Sequence, residues 1–339
     1  MTYWGDLVAR ARGLSTHLLS ATQLAQLADC ADLPAFAALA AEYGAIEPLA
    51  DPRVAEPHAL ELAARRRATQ RFALIVHWAR ERVTALTPLL DDEDRRAVRA
   101  LARGAVGGIP GPERMAGLVP TPLLPVRALE ELSRAGDLAT IAALLMAWRH
   151  PFGAVVSEEG TRQTVDLFRF EVALARAAAQ RARACAGIAD AAMRHYVERT
   201  IDLENLSAAL VLAGHHTDAS AASVFIVGGA LVTLDDLAFA ADTASPDAIA
   251  QRLATRLRGA PPLLAALHPA GDRAAADAAL SAMIGEFRLR SLREPLGLAT
   301  VIAFWLRQRA ELQTLQQITW RITMGVPRKH PADLAGALA

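Results

Sequence analysis

Residues 32–39 read Asp-Leu-Pro-Ala-Phe-Ala-Ala-Leu, and residues 137–144, 105 positions later, read Asp-Leu-Ala-Thr-Ile-Ala-Ala-Leu. Upstream, the Leu-Leu pair at 18–19 returns at 123–124 with the same offset. A third, weaker copy lies 108 positions further on, at 231–253. Self-similarity at a fixed period is typical of a fold built from repeated structural units. We therefore predict three pseudo-repeats of about one hundred residues, a usual domain size.

Each copy has the pattern of two short helices joined by a turn that contains Asp or Pro. A long helical stretch and a closing helix follow in every copy, over 59–103, 165–213 and 274–324. Apolar residues recur at i, i+3, i+4 and i+7, as in Phe72, Ile75, Val76 and Ala79, which predicts amphipathic helices. The predicted boundaries are 1–112, 113–220 and 221–326 for the three repeats and 327–339 for a C-terminal tail.

Composition also favours an all-α fold. Hydrophobic residues make up 53% of the 339 residues and aromatics only 5%, while Ala and Leu, the best helix formers, dominate. Residues that favour strands are scarce, and the sequence shows no run of alternating strands, which argues against a parallel α/β sheet.

Charge and cysteine usage limit the function and the compartment. The formal net charge is zero, whereas a nucleic-acid-binding protein usually carries a strong basic excess, so no nucleic-acid partner is expected. The two cysteines, Cys30 and Cys185, lie far apart, which fits a reducing cytoplasm. The N-terminus lacks the pattern of a signal peptide, and the longest apolar runs fall short of the ~20 residues of a membrane helix, so no transmembrane segment is predicted.

Candidate catalytic, cofactor and metal motifs are each better explained in other ways. His215, His216 and Asp218 lack a second ligand pair at helical spacing, so a polar loop is favoured over a metal site. The glycine-rich stretch 104–112 lacks the Gly-Lys-Ser/Thr ending of a phosphate loop, and helix termination is favoured. Residues 225–229, Phe-Ile-Val-Gly-Gly, lack the dinucleotide fingerprint. We predict no catalytic residue, no cofactor and no metal.

Two charged stretches have competing interpretations. The acidic run 91–94, followed by two arginines, is interpreted as a solvated helix start in which carboxylates complement the helix dipole. The basic run Arg65, Arg66 and Arg67, with Arg71, fits a solvated face and a partner-docking patch about equally well.

Three blocks of sequence resemble the C subunit of the V-type (A/V-type) ATPases and ATP synthases, the family that includes the d subunit of the eukaryotic V-ATPase. The first block opens Tyr-Trp-Gly at 3–5 and continues Ala-Arg-Ala-Arg at 9–12. The second is Asp-Leu-Glu-Asn-Leu at 202–206 with the Phe-Ile-Val-Gly-Gly step at 225–229. The third comprises Pro295, Trp305, Arg307 and the run Glu-Leu-Gln-Thr-Leu-Gln-Gln-Ile at 311–318. The sequence departs from frequent family residues at Val8, Trp305, Thr314 and Gln316.

The resemblance implies a funnel-like, three-part helical body that serves as a non-catalytic rotor subunit. Such a subunit sits on the cytoplasmic face of the membrane, links the central stalk to the membrane ring of ion-carrying subunits, and transmits torque for ATP-coupled proton or sodium transport. Peripheral membrane association would occur through the ring. The candidates for partner contact are Arg10, Arg12, Arg65, Arg66 and Arg67.

Two other classes of function stay open from the sequence alone. A helical-repeat scaffold or adaptor would bind another protein in a groove between its repeats. An enzyme remains a third alternative, because a helical bundle can hold catalytic residues that no motif search detects.

Overall fold

A computed structural model describes residues 4–115, 117–162, 165–186, 190–214, 220–243, 245–267 and 273–326. All regular secondary structure in these ranges is helical, so the all-α prediction is confirmed. The α-helices are α1 (Gly5–Ser15), α2 (Ala21–Ala28), α3 (Leu33–Glu42), α4 (Pro57–Ala79), α5 (Thr87–Val106), α6 (Gly111–Arg114), α7 (Val126–Arg134), α8 (Leu138–Ala147), α9 (Gly153–Gly160), α10 (Leu167–Ala186), α11 (Ala191–Gly214), α12 (Ala221–Val224), α13 (Leu234–Thr243), α14 (Pro246–Ala254), α15 (Pro261–Ala265), α16 (Arg273–Arg293) and α17 (Ala299–Thr323). Short 3₁₀ segments occupy Pro52–Val54, Arg80–Leu86 and Arg256–Gly259.

Pairs of short helices lie at the three places where the sequence repeats: α2 with α3, α7 with α8, and α13 with α14. In each pair the second helix has a side-chain N-cap. Asp32 accepts a hydrogen bond from the Ala35 amide at 2.8 Å, and Asp137 accepts one from the Thr140 amide at 2.7 Å. Ser245 does the same for α14. These caps satisfy amides that the first helical turn leaves without a partner, and they account for the predicted Asp-containing turns.

The chain forms two compact units. The first contains Met1–Val83, Ala116–Val119 and Leu280–Ala339. Its core forms where α1, α4 and α17 pack together. There the Phe72 ring stacks on Trp305 with centroids 4.0 Å apart, and Phe304 meets Phe72 edge-on at 6.4 Å. Truncating a buried aromatic of this kind to alanine costs about 3–5 kcal/mol, so the departure at Trp305 is an integral part of this core.

The second unit contains Thr84–Met115 and Pro120–Ala279. Within it, α5 packs along α10, α10 along α11, and α11 against α13 and α14. A buried apolar cluster fills the space beside α11, with Leu206 and Leu210 facing Leu237, Ile249 and Leu253. The i, i+4 spacing of Leu206 with Leu210 and of Ile249 with Leu253 is that of an amphipathic helix.

The glycine-rich stretch ends a helix, as the sequence predicts. Helix α5 stops at Val106, and Gly108 has a φ of +68°, a conformation that glycine adopts without strain. Across the described residues, none of the helices combines the length and the apolar character needed to span a bilayer.

Candidate functional site

In the second block of the family resemblance, side chains of helix α11 form hydrogen bonds to the backbone of the segment 226–232. Asp202 and Asn205 are fully buried and lie three positions apart, so their side chains leave the same face of the helix. The Asn205 amide donates to the Ile226 carbonyl and its oxygen accepts from the Ile226 amide, both at 2.8 Å. Asp202 accepts from the amides of Leu231 and Val232 at 3.0 and 3.1 Å. These bonds hold the segment that leads into α13.

The glycine pair of this block permits that close approach. A Cβ on Gly229 would collide with the Asp202 carboxylate, and a Cβ on Gly228 would lie 2.5 Å from the Arg183 side chain. Gly228 also has a φ of +120°, which other residues rarely adopt. Arg176 donates to the carbonyls of Ser223 and Phe225 at 2.9 and 3.0 Å. The Gly-Gly step therefore serves backbone packing against α10 and α11.

The third block centres on a buried ion pair in the first unit. Arg71 lies 2.6 Å from the Glu311 carboxylate and donates to Gln308 at 3.0 Å. Its other terminal nitrogen donates to the carbonyls of His17 and Gly44 at 2.7 and 2.9 Å. Glu311 also accepts from the Leu19 amide at 2.6 Å. Burial raises the pKa of Glu311, although Arg71 and the Leu19 amide act in the opposite direction.

The acidic run 91–94 corrects the prediction of a solvated helix start. Helix α5 begins at Thr87, so these residues lie inside it, and all four are buried. Asp91 pairs with Arg181 at 2.9 Å, and Asp92 pairs with Arg95 at 2.8 Å and accepts from the Tyr196 hydroxyl at 3.1 Å. Buried carboxylates need such partners. Arg181 on α10 and Tyr196 on α11 supply partners from facing helices, and the sequence of the run alone does not identify them.

This polar layer in the second unit shifts several pKa values. Burial raises the pKa of Asp91. Burial also opposes ionisation of Glu204, but Arg95, Arg99 and Arg96 outweigh it and hold the pKa of that carboxyl below its usual range. Arg95 lies 2.7 Å from Glu204. A cavity of about 30 Å³ lies beside these groups, between α5, α10 and α11. The carboxylates that line it are paired with neighbouring arginines.

The basic run 65–67 divides between the interior and the surface. Arg65 is 3% exposed and Arg71 is equally buried, which corrects the interpretation of these two as a solvated face. Arg66 has a side chain that is 59% exposed and lies 3.8 Å from Glu47. Arg67 donates to the Gly44 carbonyl at 3.0 Å. Of the three, Arg66 is the one that a partner could reach most readily.

The first block places Arg10 and Arg12 on α1. The Arg10 guanidinium lies 3.2 Å from the centroid of the Trp78 ring, a cation–π contact. Arg12 is exposed and donates to the Pro295 carbonyl at 2.9 Å. Both arginines therefore lie near the surface of the first unit. The contact of Arg12 joins α1 to the turn between α16 and α17.

The other departures from the family pattern have local explanations. Val8 is buried on α1, where a polar residue would need a partner. Thr314 donates its hydroxyl to the Ala310 carbonyl at 2.9 Å within α17. The side chain of Gln316 lies against Gly117, whose φ is +72°. None of these substitutions disturbs the helix in which it lies.

Asp6, in the first turn of α1, forms a bidentate pair with Arg82. The two oxygen–nitrogen distances are 2.9 and 2.8 Å. The hydrogen bonds from Arg82 lower the pKa of Asp6 to about 2. Both residues of this pair belong to the first unit.

Replacing this carboxylate, as in Asp6→Asn, is expected to lower the free energy of unfolding by less than about 1 kcal/mol near neutral pH, because the side chain is 40% exposed. The folded-state pKa lies below the ordinary value of 3.8, so the contribution is present above that value and is lost as the pH falls toward about 2. Urea unfolding of both proteins across this range measures it. Arg82→Gln should give the same difference, and a difference that grows on acidification would contradict the assignment.

Side chains that could bind a metal are dispersed through the fold. Across the described ranges, no three His, Cys, Asp or Glu side chains come close enough together to hold a metal ion. His215, His216 and Asp218 lie outside the described residues. Cys30 and Cys185 are not joined in a disulfide within the described residues.

These contacts define a class of protein: an all-helical protein whose distinctive polar side chains hold helices and connecting segments together. The sequence matches the ATP synthase (C/AC39) subunit family over residues 7–333, so the chain belongs to that family. It is 29% identical over 260 residues to the C subunit of the V-type ATP synthase of Thermus thermophilus, in each of two strains. Those residues cover 75% of this chain and 74% of each relative. The predicted family, and with it a place in a V-type rotary complex, is confirmed.

Proposed function

We propose that this chain is the non-catalytic rotor subunit that links the central stalk of a V/A-type rotary ATPase to its membrane ring. In this role it lies on the cytoplasmic face of the membrane, associates with the bilayer only through the ring, and transmits torque for ATP-coupled transport of protons or sodium ions. The observation that carries the proposal is the family match over residues 7–333. The relatives from Thermus thermophilus carry the name of the C subunit of a V-type ATP synthase.

The chemistry of the motif residues supports a mechanical role. Asp202, Asn205, Arg71 and Glu311 make hydrogen bonds to backbone groups or to other buried side chains inside the chain. A subunit that passes torque between partners needs connections that resist deformation, and buried hydrogen bonds to charged groups are among the stronger ones available. ATP hydrolysis is assigned to other subunits of the complex.

A candidate contact surface lies at the end of α16. Leu289 and Leu292, three positions apart on α16, are 62% and 78% exposed, and Leu296 in the following turn is 58% exposed. The exposed Arg12 and Arg293 flank these leucines. Exposed apolar clusters of this kind mark interaction sites. We include this surface with Arg10, Arg12, Arg66 and Arg67 among the candidate contacts with the stalk or the ring.

The test is assembly from purified parts. The chain, mixed with detergent-solubilised membrane ring and with the central-stalk subunits, is expected to elute with both on size exclusion and to bridge them in a pull-down through either partner. Leu292→Ser is expected to weaken at least one of the two contacts roughly tenfold, the effect of about 1.4 kcal/mol. The exposed Val54, 72% accessible, provides a matched control as Val54→Ser. A chain that binds neither partner would overturn the proposal.

A further inference from the structure

Three buried carboxylates make the same kind of contact at three places in the chain. Asp94 on α5, Asp202 on α11 and Glu311 on α17 are each at most 1% exposed. Each reaches the backbone just before one of the three pairs of short helices. We call these contacts the three joints: Asp94 with Thr121 and Leu124, Asp202 with Leu231 and Val232, and Glu311 with Leu19.

The chemistry of the three joints is closely related. Glu311 accepts directly from the Leu19 amide at 2.6 Å, and Asp202 accepts directly from the Val232 amide at 3.1 Å. In the Asp94 joint a hydroxyl is inserted: Thr121 donates to Asp94, and the Thr121 oxygen accepts from the Leu124 amide at 3.0 Å. His150 also contacts Asp94, with its Nε2 3.4 Å from the carboxylate.

The register of the joints is constant. The amides of Leu19, Leu124 and Val232 each lie two residues before the first residue of α2, α7 and α13. The carboxylates follow one another at intervals of 108 and 109 residues, and the amides at 105 and 108. A buried carboxylate that binds the same position before a pair of short helices, directly or through one hydroxyl, therefore occurs three times in one register.

The joints also run in a fixed order. Helix α5 of the first copy contacts the segment before α7, where the second copy begins. Helix α11 of the second copy contacts the segment before α13, where the third copy begins. Glu311, in the last helix, holds the start of the first copy across a separation of 292 residues, against 27 and 30 for the contacts of Asp94 and Asp202. Closing so long a stretch of chain has a large entropic cost, and specific buried contacts must offset it.

We propose that Asp94, Asp202 and Glu311 are equivalent positioning residues, each of which fixes the segment that leads into one pair of short helices and so keeps that connection from deforming under torque. The equivalence rests on the contacts alone. The part played in torque rests on the proposed function, and two separate measurements therefore test the two statements.

The first measurement uses the isolated chain and three variants, Asp94→Asn, Asp202→Asn and Glu311→Gln. Hydrogen exchange is read at the amides of Leu124, Val232 and Leu19. Each variant is expected to speed exchange at its own amide about tenfold or more and to change the other two less than about threefold. For Leu19 and Val232 the reason is a weaker hydrogen bond to the replaced carboxylate, and for Leu124 it is the loss of the carboxylate that orients the Thr121 hydroxyl. Glu159→Gln is the matched control. Glu159 is 3% exposed and pairs with Arg162 and Arg169, away from the joints.

The outcomes separate a joint from general destabilisation. Equal acceleration at all three amides in any variant, or no acceleration at the variant's own amide, would overturn the equivalence. Local acceleration that follows the assigned pairs supports it. Thr121→Val should reproduce the effect of Asp94→Asn on Leu124, because it removes the bridging hydroxyl.

The second measurement uses the complete complex in vesicles. The ratio of ions transported to ATP hydrolysed is expected to fall at least about threefold with Glu311→Gln or Asp202→Asn, and to stay unchanged with Glu159→Gln. An unchanged ratio in the joint variants, in complexes that contain the chain, would overturn the torque role. Failure of the wild-type chain to enter the complex would instead overturn the proposed function, while the exchange result would still decide the equivalence.

Discussion

Removing this chain from the rotary complex is expected to leave ATP hydrolysis by the soluble head near its original rate and to abolish ion transport driven by that hydrolysis. The reason is the proposed position of the chain between the stalk and the ring. Without it, rotation of the stalk has no connection to the ring, whereas the catalytic groups belong to other subunits. Vesicles reconstituted with and without the chain, assayed in parallel for phosphate release and ion uptake, measure both quantities.

Two additions sharpen this experiment. Returning the purified chain should restore transport to the level of the intact complex, and returning the Glu159→Gln variant should do so equally well, since that residue lies outside the joints. Transport that continues unchanged without the chain would defeat the proposed function. Hydrolysis lost from the detached head would show that the chain acts on the catalytic subunits.

The helices and their ends could be predicted from the sequence because their causes are local. Periodicity along Phe72, Ile75 and Ala79 identifies the buried face of α4, and Asp32 and Asp137 mark helix starts through their capping chemistry. The repeat in the sequence correctly located all three pairs of short helices. The boundaries proposed for the three repeats, at 112 and 220, stay a prediction, which superposition of the three segments would test.

The polar connections could not be predicted because each depends on a residue far away in the sequence. The run 91–94 has the pattern of a surface segment, and its burial follows from Arg181 and Tyr196, which lie about one hundred residues away. The burial of Arg71 could not be predicted for the same reason, because its partner Glu311 lies 240 positions away in the sequence. The resemblance drew attention to Asp202 and Glu311, but their shared role emerges only when the amides they hold are compared.

Replacing the buried cation of the first unit, in Arg71→Met, is expected to cost about 3–5 kcal/mol of stability, because it leaves Glu311 charged and without its cation in the interior. The side chains of Arg71 and Glu311 are only 3% and 2% exposed. The substitution also removes the donor to the His17 and Gly44 carbonyls. The free energy of opening is measured by native-state hydrogen exchange at the amides of α4 and α17.

The pH dependence and a second substitution identify the cause of that loss. The pKa of Glu311 is already raised by burial, and without Arg71 it rises further. When the folded-state pKa of a carboxyl lies above its unfolded value, its contribution to stability is fully present below the unfolded pKa and is lost as the pH rises through the folded-state pKa. The free energy of unfolding of Arg71→Met should therefore be lower at about pH 8 than at about pH 5. Adding Glu311→Gln should recover part of the loss, because the neutral amide still accepts from Leu19. The control is Arg66→Met on the same helix. Arg66 is exposed and lies 3.8 Å from Glu47, so this substitution should lower the free energy of unfolding by less than about 1 kcal/mol. A similar loss for both arginines would refute the argument from the buried pair.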